Sequence, residues 1–445
     1  MTFLDEFAGY VADHGEPDRI ELLLSDINAI QRGKWLPGDD AEKLVSGAVR
    51  LPMSTYAPNI MGEEVEATGL GIIQGDPDGR IVPINGSLRR VPWAEGHVVQ
   101  VQVEMHNGDG EISFLSARQQ LAKVLKRFKE RGLRPVLATE LEFYLLRARK
   151  KNSDAPQPPY RLPKAQNYDL EVLNRTEHIL TDILKASKVQ GLATDTLIAE
   201  YGPGQFEINF HHTDDVLAAA DTAVLFRRLV RGTVRKHGME ATFMAKPYAD
   251  YPGNGLHVHV SVVNDAGENI FSADEGVSAT LRSAVAGVLE TMPEAQAIFA
   301  PHMNSYRRFQ PGDFSPSSPN WGLDHRGAGV RLPETKGPGA RLEHRICGAD
   351  VNPYLAIAAI LGGILHGLDH DPELPLPLDD PQTTPTEPLG HDWRTAVEVF
   401  AESQFTADLL GQEYRDIYTK IRFDEIESLT AEITPVEYRY YLGRL

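Results

Sequence analysis

Short apolar runs separated by glycine, proline and aspartate fill the first hundred residues of the chain. The segment 19–37 has an apolar half, a polar stretch at Ser25–Asn28 and a second half, and this pattern predicts a hairpin. Further short strands are predicted at 68–75, 81–84 and 97–105. These segments predict a small mixed β domain that ends at about residue 108.

Beyond this point the apolar spacing changes to the period of an amphipathic helix. The stretch 116–133 has apolar residues three and four apart with basic residues between them, and a strand-like apolar run follows at 136–146. The remaining predictions are helices near 171–189 and 214–238, strands within 240–263, exposed proline-rich loops at 150–169 and 367–391, and polar helices over 392–445.

The longest apolar stretch, 354–365, has too few residues to cross a bilayer and predicts a buried helix. The N-terminus is acidic and lacks the basic segment of a signal peptide, so the expected location is the cytoplasm. A formal net charge of −19 argues against a nucleic-acid or anionic-membrane partner. Cys347 is the single cysteine, which excludes an intramolecular disulfide and a cysteine-based metal cluster.

Candidate chemistry begins with two carboxylates inside the apolar run "LATELEFYLL". Side chains alternate along a strand, so Glu140 and Glu142 point to the same face. Two like charges ~7 Å apart repel by roughly 2 kcal/mol at an effective dielectric constant near 20. The pair is either a solvated strand face or one side of a site that holds a proton or a cation.

Three other stretches carry polar side chains in comparable patterns. They are "IAEYGPGQFEINF" with Glu200 and Glu207, "GNGLHVHVSV" with His257, His259 and Ser261, and "GARLEHR" with Arg341, Glu343 and Arg345. Each alone fits an ordinary turn, a buried histidine pair or a surface strip of ion pairs. Together they predict an anionic concavity that divalent cations such as Mg²⁺ or Mn²⁺ would compensate.

Arginines are frequent over 304–345, and their guanidinium groups suit phosphate or carboxylate groups. Metal ions and arginines around one cavity indicate phosphoryl transfer from a nucleotide. The sequence contains neither GxxxxGK[ST] nor GxGxxG after a strand, so a P-loop or Rossmann site is excluded.

The sequence resembles the glutamine synthetase family over nearly its whole length. The resemblance is carried by these segments: ExE at 140–142, "EYGPGQFE" at 200–207, "FMAKP" at 243–247, "GNGLHVHVS" at 253–261, "NSYRRFQPG" at 304–312 and "RLEHRICGADVNPYLAIAA" at 341–359. It implies an α+β chain with an N-terminal β-grasp domain (1–108) and a catalytic domain (109–445) built on a curved antiparallel sheet flanked by helices. It also implies stacked homo-oligomeric rings, commonly a dodecamer, in which a neighbour's N-terminal domain completes each active site.

The resemblance further implies a role for individual residues. The implied metal ligands are Glu142, Glu200 and Glu207 at one site and Glu140, His257 and Glu343 at the other. The implied nucleotide contacts are Glu207, His259, Ser261 and Arg341, and the phosphate-contacting catalytic arginines are Arg326 and Arg331. The implied glutamate contacts are Arg308, Arg345 and the backbone of Gly253. Arg308 is also an implied catalytic residue. Two or three Mg²⁺ or Mn²⁺ ions and ATP are the implied cofactor and co-substrate.

The implied reaction phosphorylates the γ-carboxylate of glutamate with ATP, and a nitrogen nucleophile then displaces phosphate. Glutamine synthetases proper hold ammonium with a glutamate and an aspartate in two loops. Here Phe314 stands at or near the glutamate position, although Asp313 is adjacent, and the loop 51–62 lacks aspartate. This pocket favours the apolar stem of an organic amine, and the sequence most resembles the γ-glutamylpolyamine synthetase branch.

Three alternatives stay open at this point. A glutamine synthetase that uses ammonia is the nearest, a catalytically silent ring protein is the second, and a guanidino kinase-like phosphotransferase is the third. A catalytically silent ring protein would be expected to have lost some of the implied metal ligands, whereas all six are present in the sequence.

Overall fold

Two sheets organise the structure, and each is built from its own part of the chain. The computed structural model describes residues 1–160, 162–309 and 315–445. The first sheet lies within residues 19–106 and the second within 133–344. The division at residues 108 and 109 therefore stays a prediction that agrees with where the two sheets fall.

The first sheet has a parallel pair of strands at its centre. Its strands are β1 (Arg19–Ser25), β2 (Gln31–Arg32), β3 (Trp35–Pro37), β4 (Arg50–Pro52), β5 (Asp78–Pro83), β6 (Arg89–Arg90) and β7 (Val98–His106). β1 pairs in parallel with β7, and the other described pairs in this sheet are antiparallel. Helices α1 (Phe3–His14) and α2 (Glu42–Val45) belong to the same part of the chain.

Two predictions for this region have different outcomes. The predicted hairpin forms, with its second half divided between β2 and β3, both of which pair with β1. The strand predicted at 68–75 is wrong, because the segment forms short 3₁₀ turns at Glu66–Thr68 and Ile72–Gln74. Gly69 and Gly75, both at positive φ, end the two turns, and a third glycine at positive φ, Gly71, precedes the second turn. This backbone cannot continue a strand.

The second sheet is antiparallel except for one described pair. Its strands are β8 (Leu133–Arg147), β9 (Thr194–Ala199), β10 (Gln205–Phe210), β11 (Met239–Thr242), β12 (Leu256–Asn264), β13 (Trp321–Leu323), β14 (Val330–Glu334) and β15 (Arg341–His344). Their order is β13-β14-β15-β12-β8-β10-β9, with β11 beside β8. Among the described strand pairs of this second sheet, only β13 and β14 run parallel. The predicted α+β architecture with an antiparallel catalytic sheet is confirmed.

Helices cover this sheet and continue to the end of the chain. They are α3 (Ala117–Lys129), α4 (Leu170–Val189), α5 (Val216–Lys236), α6 (Ala279–Thr291), α7 (Gln296–Phe299), α8 (Pro353–His370), α9 (Trp393–Glu402), α10 (Gln404–Leu410), α11 (Gln412–Thr430) and α12 (Pro435–Tyr440). The predicted buried helix is α8, whose residues from Pro353 to Leu365 are all buried. No helix within the described residues combines the length and apolar content needed to cross a membrane.

Candidate active site

Strand register places the acidic side chains opposite one another on the second sheet. Glu142 of β8 pairs directly with Glu207 of β10, and Glu140 pairs with His257 of β12. On the far side of β12, His259 pairs with Glu343 of β15. Directly paired residues of an antiparallel sheet have Cβ atoms about 5 Å apart, so the polar groups of four strands meet on one face.

The carboxylate and imidazole atoms form three overlapping groups. One ligand atom from each member lies within 4.8 Å of the others in the groups Glu142–Glu200–Glu207, Glu140–Glu207–His257 and Glu140–His259–Glu343. The first group is the set that the family resemblance implies for one metal ion. The second implied set, Glu140, His257 and Glu343, is divided between the other two groups.

His257 joins these groups through one ring nitrogen. Nδ1 of His257 lies 2.9 Å from Oε2 of Glu140 and 3.9 Å from carboxylate oxygens of both Glu207 and Glu343. The second carboxylate oxygen of Glu140 lies 2.9 Å from Nε2 of His259. All six residues with an implied metal role therefore surround one buried space.

The carboxylates differ in how their charge is balanced. Burial, together with the neighbouring charge of Glu142, raises the pKa of Glu200 to about 7. Burial, followed by the charges of Glu140, Glu142 and Glu200, also raises the pKa of Glu207 well above its usual value. For Glu140, burial acts in the same direction, but hydrogen bonds with the two histidines outweigh it and lower the pKa. Among the described residues, the negative charge on the Glu200 side of the cluster is therefore less well balanced than the charge of Glu140.

Among the described residues, four arginines line the same cavity, which has a volume of about 730 Å³. Nη1 of Arg331 donates to Glu343 at 2.9 Å, and Arg345 forms a second ion pair with the same carboxylate. Arg326 is exposed, and its Nη1 donates to the hydroxyl of Tyr168 at 3.1 Å. The guanidinium groups and the acid cluster thus face one volume.

Arg308 occupies the deepest position of the four. Only 3% of its surface is exposed, and its Nη1 donates to the carbonyl of Ile346 at 2.8 Å. A Cβ added to Gly253 would lie 2.6 Å from the side chain of Arg308 and 2.4 Å from the carbonyl of Ala245. Gly253 therefore permits a close approach between this loop and Arg308.

Three of the four residues with an implied nucleotide role line an adjoining cavity of about 800 Å³. His259, Ser261 and Arg341 all contribute to it, and Glu140 lines both cavities. Nε of Arg341 donates to Nδ1 of His259 at 3.4 Å, and Oγ of Ser261 donates to the carbonyl of Ala340 at 2.8 Å. Glu207, the fourth implied nucleotide contact, lies on the cluster side.

Sequence reasoning missed several hydrogen bonds and ion pairs in and around the cluster. Nε2 of Gln205 donates to the carbonyl of Gly253 at 2.9 Å, and the backbone N–H of Gly255 donates to Glu142 at 2.6 Å. Asp324 forms an ion pair with Arg331. Gln205 and Gly255 lie inside motifs already singled out, but their partners depend on strand register. Phe314 and Asp313 lie outside the described residues.

Residues 114–441 match the model of the family described as glutamine synthetase, catalytic domain. The gamma-glutamylputrescine synthetase of Escherichia coli K12 is 38% identical over 99% of this chain and 95% of its own. The glutamate–isopropylamine ligase of a Pseudomonas species is 30% identical over 96% of this chain and 95% of its own.

A solved structure agrees with these matches. A structure titled as a complex of GmaS with ADP superposes with a TM-score of 0.85 and 26% identity, and the match covers 98% of this chain and 99% of that one. The family match spans the whole second sheet and every residue of the acid cluster. This chain belongs to the glutamine synthetase family.

Proposed function

We propose that this chain is an ATP-dependent ligase that joins the γ-carboxylate of glutamate to an organic amine, either a polyamine or a small alkylamine. The observation that carries the proposal is the single cavity in which the acid cluster faces Arg308, Arg331 and Arg345. Ligation of glutamate with an amine at the expense of ATP is the chemistry of the family, and the identity of the amine is the new element.

The donor set fits divalent metal ions. Glu142, Glu200 and Glu207 offer oxygen ligands within 4.8 Å of one another, and His257 adds a nitrogen beside Glu140. Oxygen donors suit Mg²⁺ or Mn²⁺, and an imidazole suits Mn²⁺ well. The raised pKa values of Glu200 and Glu207 reflect burial and repulsion among the carboxylates, and a bound cation would relieve that repulsion. When bound, such ions would neutralise the charge of the nucleotide phosphates.

The chain's own residues would do the rest. Arg308 and Arg345 would orient glutamate, because guanidinium groups bind carboxylates in a fixed geometry. Arg331 and Arg326 would stabilise the negative charge that spreads over the phosphoryl group during transfer to the γ-carboxylate, giving γ-glutamyl phosphate. The amine nitrogen would then displace phosphate and form the amide bond.

Two features favour an organic amine over ammonia. Relatives named for putrescine and isopropylamine match nearly the full chain, at 38% and 30% identity. A relative named gamma-glutamylethanolamide synthetase, from Streptomyces coelicolor, is 33% identical over 81% of the chain. The loop 51–62 also lacks the aspartate that ammonium-using relatives carry there. The apolar stem of the amine would therefore lie where those enzymes hold ammonium.

Glutamine synthetase activity is the second candidate. The glutamine synthetase of Pyrococcus abyssi is 33% identical over 80% of the chain, and that of Thermococcus kodakarensis is 31% identical over 95%. These identities are close to those of two of the three amine ligases, whereas the putrescine enzyme is more similar to this chain, at 38% identity.

The test is phosphate release in the presence of glutamate, ATP and Mg²⁺ with putrescine, isopropylamine, ethanolamine, methylamine or ammonium at equal concentration. At least one organic amine should give a higher kcat/KM than ammonium, and mass spectrometry should detect its γ-glutamyl amide. Ammonium that outperforms every amine would contradict the proposal and support glutamine synthetase.

A further inference from the structure

A third cavity, of about 510 Å³, lies between the first sheet and helix α5. It shares no lining residue with the two cavities of the candidate active site. Five arginines, two tryptophans, Glu21 and Gln31 contribute most of its polar and aromatic surface. The arginines are Arg19, Arg227, Arg228, Arg231 and Arg235, and the tryptophans are Trp35 and Trp93.

Three of the arginines form a stripe along α5. Arg227, Arg231 and Arg235 are spaced four residues apart, so they lie on one face of the helix and turn the same charge toward the cavity. Within the part of the chain that the structure describes, no carboxylate lies within 4.0 Å of any of the three. Like charges at this spacing destabilise a helix, which indicates that the stripe serves another purpose.

One carboxylate balances the remaining two arginines. Glu21 forms ion pairs with Arg19, at 2.9 Å, and with Arg228. Nε of Arg228 donates to Oε1 of Gln100 at 3.0 Å. Five guanidinium groups therefore face one carboxylate, a local excess of positive charge in a chain whose formal net charge is −19.

Two residues that line the cavity also carry buried polar atoms without a partner among the described residues. Both amide atoms of the Gln31 side chain and Nε of Arg227 are buried and have no hydrogen-bond partner among the described residues. Only 6% of Arg227 is exposed, and one of its other nitrogens donates to the carbonyl of Val351 at 2.7 Å. Burial, followed by the charge of Arg231, lowers the pKa of Arg227 to about 9. Buried polar groups normally have partners, so Gln31 and Arg227 leave hydrogen-bonding capacity unused beside the cavity.

The walls of the cavity are held in place by close packing. A Cβ added to Gly232 would lie 2.4 Å from the indole of Trp93, so this ring rests directly on α5. The guanidinium of Arg19 lies 4.0 Å above the ring of Trp35. Trp93 and Arg19 are therefore held in place, which reduces the entropic cost of ordering this part of the wall when a ligand binds.

We propose that this cavity binds a small polyanion that carries at least two negative charges on phosphate or carboxylate oxygens, separately from the substrates of the ligase reaction. The guanidinium forks of the α5 stripe match such oxygens bidentately. The cavity volume lies within the range usual for small-molecule sites. Gln31 lines the same cavity beside the arginines.

Binding can be measured on the purified full-length assembly without metal or nucleotide. Pyrophosphate and citrate serve as separate phosphate and carboxylate probes, with NaCl at matched ionic strength as the reference. Isothermal titration calorimetry gives the affinity, and a change in tryptophan fluorescence, to which Trp35 and Trp93 at the cavity contribute, accompanies binding. At least one probe should saturate with a Kd below about 1 mM, and the signal should weaken as salt is added.

Variants then assign the binding to this cavity. The double variant Arg231→Gln/Arg235→Gln removes two exposed side chains and should weaken the probe at least tenfold. Arg175→Gln, an exposed arginine on α4 that lines none of the cavities, is the matched control and should bind as the wild type does. Arg331→Gln alters the candidate active site and should also leave this affinity unchanged. Double substitution by lysine keeps the charge without the fork and should give an intermediate affinity.

Three outcomes would overturn the proposal. The first is no saturable binding to the wild type, including the case in which a neighbouring copy of the chain fills the cavity. The second is equal weakening by the double variant and by Arg175→Gln, which would leave only general electrostatics. The third is loss of binding in Arg331→Gln, which would place the anion among the substrates.

Discussion

Glu140 and Glu142 lie two residues apart on one strand but have different partners. Glu140 contacts two imidazoles, whereas Glu142 lies opposite the carboxylate of Glu207 and close to that of Glu200. Among the described hydrogen bonds to Glu142, the shortest is donated by the backbone N–H of Gly255, at 2.6 Å. A cation is therefore needed more on the Glu142 side of the cluster than beside Glu140.

Removing Glu142 tests this conclusion. Glu142→Ala should reduce turnover at limiting Mg²⁺ by ~100-fold or more, because a ligand of the cation is lost. Assembly mass and melting temperature should stay close to those of the wild type, since the side chain is only half-buried. Glu177→Ala, on the exposed face of α4, is the matched control. Turnover like that of the wild type at limiting Mg²⁺ would show that Glu142 is not a ligand.

The raised pKa of Glu200, about 7, predicts a pH dependence of metal affinity. A carboxyl group must lose its proton before its oxygen binds a cation, and the protonated fraction grows as pH falls through 7. The affinity for Mg²⁺ should therefore fall by up to about tenfold per pH unit below 7 for each proton displaced. Calorimetry at pH 6.5 in two buffers of different ionisation enthalpy should detect this proton release. Identical heats in both buffers would contradict it.

Phe314 provides a test of nucleophile choice although it lies outside the described residues. Phe314→Glu would add a carboxylate at or near the position that ammonium-using relatives fill with glutamate. The ratio of kcat/KM for ammonium to that for the best amine should rise by about tenfold, which corresponds to ~1.4 kcal/mol of differential stabilisation. Phe314→Leu is the control without charge. An unchanged ratio would mean that this loop does not select the nucleophile.

At the scale of elements, helix α6 meets helix α8 through glycine. A Cβ added to Gly287 would lie 2.2 Å from the backbone nitrogen of Gly367 and 2.4 Å from the carbonyl of Gly363. Both helices are buried, so neither backbone can withdraw without opening the core. Their close crossing therefore depends on the absence of side chains at these positions.

Two glycine substitutions with opposite expected signs test this crossing. Gly287→Ala should destabilise the protein by at least about 2 kcal/mol, because backbone atoms block the added methyl group. Gly9→Ala, in the exposed helix α1 where nothing lies within 4 Å of the added atom, should stabilise it by about 0.5–1 kcal/mol. Denaturant unfolding at fixed protein concentration measures both. A neutral Gly287→Ala would show that the helices can separate at little cost.

The helices could be predicted from the sequence more completely than the contacts between strands could. Helices near 171–189 and 214–238 follow from apolar spacing and correspond to α4 and α5. The cross-strand pairing of Glu142 with Glu207 is a matter of register between distant segments, which local pattern does not contain. The family resemblance grouped these residues, whereas the roles of Gln205 and Gly255 needed the fold. The stripe on α5 stayed unrecognised because its meaning depends on the first sheet lying opposite.

At the scale of the whole molecule, the cavity of the candidate active site is built from one part of the chain. Its described lining residues run from Glu140 to Arg345, and none belongs to the first sheet. The loop 51–62 is instead held against helix α11, where the backbone N–H of Ile60 donates to Glu425 at 2.7 Å. Met61, next to this contact, is exposed. This arrangement fits the prediction that the loop serves a neighbouring subunit.

Mixing two damaged subunits tests whether active sites are shared. Met61→Arg should lower turnover although Met61 lines no cavity of its own chain, and Glu142→Ala should be inactive. If each site combines one catalytic sheet with a neighbour's loop, co-expression in equal amounts should restore about a quarter of the wild-type activity, because chance pairing gives that fraction of intact sites. Light scattering should also give a mass several times 49.2 kDa, with a dodecamer as the expected size. Activity no higher than the mean of the two separate variants would show that each chain completes its own site.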